Sequence, residues 1–180
     1  MAPATPSILK ARLIWLFATI GFIVGLDQLT KELIQRRIPY NTVGARLWND
    51  FLWIVHTKNL GIAFSIGDGL PQAARVLLFI GLPLVFLIFT VLYCLRAETL
   101  TRFQRASIYL IISGGLGNLI DRTFRPDGVV DFISLAFYGL FGLERFPTFN
   151  VADSSISVGA VLLILSGFLW SKEPGDVKGS

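Results

Sequence analysis

The sequence has one cysteine, Cys94, and one histidine, His56, among its 180 residues. A single cysteine excludes an intramolecular disulfide and a thiolate metal cluster. A single histidine excludes a His-based zinc site and leaves any Ser-His-Asp triad dependent on one residue in a turn-rich stretch. Charge is scarce as well: Asp, Glu, Lys and Arg make up 16% of the chain, against about a quarter in soluble domains. No solenoid-type repeat is visible. Basic residues exceed acidic ones by four, but they form no stripe interleaved with aromatics, which argues against a nucleic-acid partner. What remains is apolar. With 53% hydrophobic residues and a mean hydropathy of +0.65, the chain reads as one small integral membrane domain, residues 1–180.

Four uncharged runs stand out. Leu13 to Leu26 follows Lys10 and Arg12 and resembles the core of a secretory signal peptide. No small-x-small cleavage site follows it, and apolar periodicity continues from Asp27 to Ile34, so an uncleaved first span over about 13–34 is expected. Val76 to Leu95 is 20 residues long, enough to cross about 30 Å of hydrocarbon as a helix, with Pro83 as a site of kinking. Ala106 to Ile120, within a span over about 104–121, carries Ser113, Gly114, Gly115 and Gly117, small residues that allow helices to approach closely. Ser154 to Ser171 is the fourth. Met1 to Ser7 and Lys172 to Ser180 read as polar tails.

The connectors differ in kind. Residues 35–75 hold many Gly, Pro, Asn and Asp between short apolar patches, and Phe51 to Thr57 and Gly61 to Ile66 suit strands. The expected fold class is therefore all-α membrane protein: four transmembrane helices with a small extracytoplasmic β-sheet lying on the membrane surface, Trp48 and Trp53 suiting its interface. The second connector, residues 122–153, contains Val129 to Ile133 and an aromatic, glycine-rich insert around Tyr138 to Phe146.

Four spans put both termini on one side, with seven basic and three acidic residues there and nine of each opposite. The positive-inside rule makes the terminal side cytoplasmic. Three runs meet an aspartate on the other side: Asp27 and Asp121 close the first and third, and Asp153 opens the fourth. These runs of 14, 15 and 18 residues span roughly 21 to 27 Å as helices, so the carboxylates lie slightly below the outer headgroups.

Two carboxylates brought together do not both ionise easily; one pKa rises while the other stays low. Such a pair activates water with its ionised member and protonates a leaving amine with the other. The candidates are Asp27, Asp121, Asp131 and Asp153, and spacing does not choose between them. Three have a structural reading: an Asp121–Arg122 ion pair, an intrahelical Asp27–Lys31 pair, Asp153 as a helix N-cap; Asp131, flanked by Val130 and Phe132, is harder to explain as a solvated loop charge. Asn59, Asn118 and Asn150 suit turns or caps, or a frame for a peptide backbone. A proton-coupled transporter is the rival class, since intramembrane acids also serve as relays, and a noncatalytic scaffold is a third. One-sided acids and four short spans argue against transport.

The motifs Asp27-Gln28-Leu29-Thr30-Lys31, Lys58 to Ser65, Gly114 to Arg122, Val129-Val130-Asp131-Phe132 and Phe149 to Ser154 resemble, in order, the motif set of lipoprotein signal peptidase (signal peptidase II). The likeness runs from about Asp27 to Gly159. It implies a multi-pass aspartyl endopeptidase of the bacterial inner membrane that needs no cofactor or metal. Its substrates would be prolipoproteins, cut before a diacylglyceryl cysteine among membrane lipids, and globomycin-type cyclic peptides would inhibit it. The resemblance makes Asp131 and Asp153 the catalytic dyad. Asn59, Gly61, Asn118, Arg122 and Asn150 would bind substrate or orient the dyad, and Asp27, Lys31 and Asp121 would support it. Lys58 stands where the family often has Arg, which removes a planar bidentate donor, and the connector from Asp131 to Asp153 is longer than usual, implying a larger loop over the site.

Overall fold

The computed structural model describes residues 6–59 and 71–170, the last two by backbone alone. The expected strand at Gly61 to Ile66, the site residue Gly61 and the C-terminal polar tail lie outside the described residues. Helix α1 (Pro6–Arg37) takes in the last two residues of the segment read as a tail, with Pro at a position whose missing N–H costs nothing, and passes through Asp27 without a break. Helix α2 covers Gln72–Arg96. Its hydrogen-bonded turns widen by one residue over Leu77–Gly81. Pro83 explains this: it has no N–H and crowds the carbonyl four residues back, Phe79, which sits in the widened turn.

Helix α3 (Arg102–Phe124) is set by a reciprocal cap, Thr101 Oγ1 accepting from the Gln104 N–H and Gln104 Oε1 from the Thr101 N–H. Helix α4 is Val151–Trp170. By length and hydropathy α1, α2 and α4 are able to cross a membrane. α3 falls short of that mark because of its position. It packs against all three other helices, so its Ser, Gly and Asn face protein. Close approach depends on glycine from both sides: a Cβ at Gly114 would strike the Ala152 carbonyl, and one at Gly159 would lie 2.6 Å from the Ser107 carbonyl oxygen. Leu16, Cys94, Ile108, Tyr109 and Ile112 form a core near one end of the bundle.

A three-stranded antiparallel sheet, β1 (Thr42–Leu47), β2 (Leu52–Asn59) and β3 (Val129–Leu135), sits at the other end in the order β1-β2-β3. It draws on both connectors, a pairing that was not expected. Trp48, Asn49 and Asp50 turn the chain between β1 and β2 with positive φ, and the guanidinium groups of Arg46 and Arg145 lie over the Trp53 ring at 4.5 and 3.9 Å. Thr57 pairs with Asp131 in the β2–β3 register. An added bridge, Ile133 to Phe149, brings the residue before the N-cap of α4 onto β3.

Candidate active site

That bridge places Asn150 beside Asp131. Asn150 caps α4: its Oδ1 accepts the Asp153 N–H at 2.9 Å, and Asp153 Oδ2 accepts the Asn150 N–H at 3.2 Å. Asp153 is thus the third helical residue of a capping box and not the cap itself. Because a backbone N–H only donates, Asn150 must turn its oxygen to it and its nitrogen elsewhere. Nδ2 then donates to Asp131 Oδ1 at 2.7 Å, with Asn118 Oδ1 and the Val130 carbonyl at 3.2 and 3.4 Å.

Asn118, on α3, is oriented by the same logic. Its Oδ1 accepts from Lys31 Nζ at 3.1 Å, a group that only donates, so its Nδ2 faces Asp153 Oδ1 at 2.7 Å. Two asparagines therefore join the two carboxylates in one chain of directed bonds. The Thr57 hydroxyl holds the Asp131 carbonyl at 3.0 Å, and Asn59 Nδ2 stands 3.5 Å from Asp131 Oδ2.

Beneath them lies a buried charge cluster. Asp27, Lys31 and Asp121 have no solvent exposure. Lys31 Nζ donates to Asp27 Oδ2 at 2.8 Å and stands 2.6 Å from Asp121 Oδ2, an ion pair off the hydrogen-bonding directions. For Asp121, where an ion pair with Arg122 is the structural alternative, the ion pairs among the described residues are Lys31 and, one turn along, Arg125 at 3.5 Å. Asp27 Oδ1 accepts the Ala152 N–H at 2.9 Å, locking α1 to the first turn of α4. Gln28, which the sequence reading passed over although it lies inside a quoted motif, donates to Asp121 Oδ1 and Asp27 Oδ2 and accepts from Arg125. Arg122 lies within electrostatic reach of Asp153, Asp131 and Asp121.

Burial, and then the Asp153 charge, push the Asp131 carboxyl up from 3.8 to about 7, against the opposing pull of the Asn150 bond. His56 is committed elsewhere, its Nδ1 donating to the Ile38 carbonyl at 2.7 Å. Lys58, the departure noted above, pairs with Asp127 at 2.8 Å. Among the described residues, no three His, Cys, Asp or Glu side chains are placed to hold a metal ion.

Apolar helices with a carboxylate cluster at one end of the bundle define a membrane protein with a polar site next to its extramembrane sheet. The family model described as signal peptidase (SPase) II matches residues 19–169, and the chain belongs to that peptidase family. It is 45% identical over 164 residues to the lipoprotein signal peptidase of Treponema pallidum (strain Nichols), covering 91% of this chain and 88% of that protein. With the lipoprotein signal peptidase of Borrelia turicatae (strain 91E135) it shares 43% identity over 156 residues, 87% of this chain and 91% of that one. A bacterial membrane enzyme solved by the in meso method at 2.3 Å superposes with a TM-score of 0.74 at 29% identity, covering 92% and 93% of the two chains.

Proposed function

We propose that this chain removes the signal peptide from diacylglyceryl-modified bacterial prolipoproteins, cutting before the lipidated cysteine, and that Asp131 and Asp153 are its catalytic pair. The observation that carries this reading is that Asn118 and Asn150 tie together two acids far apart in sequence, the charge of one raising the pKa of the other. The pair holds one proton, on Asp131. Asp153 takes a proton from water as the water oxygen bonds to the scissile carbonyl carbon. Asp131 gives its proton to the leaving amine as the C–N bond breaks, and passage of the new proton from Asp153 to Asp131 restores the pair.

Lys31, Asp27 and Asp121 fix Asn118 and α4, while Asn59, Arg122 and the segment holding Gly61 bind the unwound peptide. The four helices span the inner membrane with both termini in the cytoplasm and the site near the outer face. Neither step uses a cofactor. Purified protein in detergent is expected to cleave a lipidated prolipoprotein and to leave its unlipidated form intact. Cleavage should slow by about 10²-fold or more in both Asp131→Asn and Asp153→Asn; full activity in either variant rejects the dyad.

A further inference from the structure

The end of the bundle opposite the carboxylates also carries buried charge, and nothing in the reaction uses it. Arg12 on α1 and Arg105 on α3 lie about 15 and 13 residues before Asp27 and Asn118 respectively, roughly 20 Å away along their helices. With Arg102 they line a cavity of about 730 Å³ between the starts of α1 and α3. Arg105 is only 8% exposed.

Its guanidinium donates to the carbonyls of Cys94, Ala97 and Leu100, and Arg12 donates to that of Leu95. These bonds close the C-terminal end of α2, whose last carbonyls lack partners within the helix. A carbonyl, however, is not a counter-ion. No described salt bridge involves Arg12, Arg102 or Arg105, and the Arg102 side chain makes no hydrogen bond among the described residues. Neither α1 nor α3 has an acid in its first turn, so two positive helix ends add to three cations that have no acidic partner among the described residues.

The cavity wall says which anion fits. Ile8 and Trp15, 46% and 68% exposed, belong to the outer face of α1, which meets acyl chains in a bilayer. Basic pockets between helices at the cytoplasmic end of a span suit lipid headgroups, and a tryptophan there suits the interface. We propose that this cavity binds an anionic phospholipid, its phosphate held by Arg12, Arg102 and Arg105 and its chains laid along Ile8 and Trp15. The orientation proposed above serves only to name the leaflet as the inner one.

The test is lipid retention by the full chain, followed by native mass spectrometry and by thermal stabilisation in micelles with added phosphatidylglycerol, phosphatidylcholine or inorganic phosphate. Phosphatidylglycerol should be retained and should stabilise, with the other two having little effect. Arg102→Gln should weaken retention about fivefold, Arg102→Lys much less, and Arg36→Gln, a charge-matched change at the other end, not at all. Trp15→Ala should lower retention through the apolar wall. Equal retention of the two lipids, equal loss in Arg102→Gln and Arg36→Gln, or stabilisation by phosphate alone would overturn the proposal. Arg102→Gln should cleave lipidated substrate in phosphatidylcholine discs at the unaltered rate, which separates failure here from failure of the proposed reaction.

Discussion

The two ends of the helix bundle bury cations in opposite ways. At the sheet end, Lys31 is enclosed by Asp27 and Asp121, with Arg125 adding a second cation to Asp121. At the other end, Arg105 is nearly as buried but donates only to carbonyl oxygens. Carboxylate partners cancel charge and fix direction together, so Lys31 orients the Asn118 amide and through it Asp153. Carbonyl partners fix direction alone and leave a field for an external anion to meet. In a medium of low polarity the identity of the partner decides whether a buried cation serves as a strut or remains open to a ligand.

The largest effect that tests this contrast is at the acids themselves. Asp131→Asn and Asp153→Asn should each lower the cleavage rate by about 10² to 10⁴-fold with the fold retained, because the amide keeps the shape while losing the proton chemistry; Asp153→Asn also turns an NH2 toward the donor of Asn118 or Asn150 and should cost about 1–3 kcal/mol of stability, which thermal unfolding in micelles checks. Next comes Lys31→Met, which strands the buried Asp27 carboxylate and leaves Asp121 with Arg125 alone, and should cost about 3–5 kcal/mol. Adding Asp27→Asn and Asp121→Asn to it should recover most of that stability but not activity, since Asn118 has still lost its orienting donor. Arg105→Gln should cost less, about 1–3 kcal/mol, the scale of unsatisfied carbonyls.

The Asp131 carboxyl sharpens the sheet-end half of the contrast through pH. With a folded pKa of about 7 against an ordinary 3.8, the protonated group favours the folded state fully below about 4. As pH rises the unfolded chain ionises first, and that stabilisation is lost progressively up to about 7, beyond which it is gone. Cleavage should fall over the upper part of the same window and above it, as the pair loses its shared proton. A pH series of unfolding temperatures should show the decline in the wild type and a flatter line in Asp131→Asn.

How far these features are legible in the sequence depends on the range of the interaction involved. The long apolar helices are legible because bilayer thickness sets their length, and the Asp27–Lys31 pair because residues four apart share a helix face. The same rule explains why Asp121 takes Arg125 as an ion-pair partner, where adjacency suggested Arg122. α3 is legible from its small residues better than from its hydropathy. β1 is obscured because a bulge at Gly44 breaks its alternation and most of it is exposed. β3 is obscured because it is covered on both faces, so Val129 to Phe132 shows no alternation to read. The Asn118–Asp153 and Asn150–Asp131 bonds join residues 35 and 19 apart, and no periodicity encodes them; only the family resemblance pointed there.

Smaller effects come from contacts that set the distance between helices and from charge at the open end. Gly114→Ala should destabilise by about 1–3 kcal/mol, because the Ala152 carbonyl is backbone and has little room to move. It should also impair cleavage, since Ala152 donates its N–H to Asp27 and the same turn of α4 carries Asp153. Arg102→Gln should change stability in neutral micelles by no more than about 0.5 kcal/mol, because an exposed guanidinium without an acid partner among the described residues has no buried bond to lose. Relief of repulsion from Arg105, three residues along the same helix face, pushes toward a slight gain. A loss of several kcal/mol instead would mean that Arg102 acts as a strut as Lys31 does, and the distinction between the two ends would fail at its weakest point.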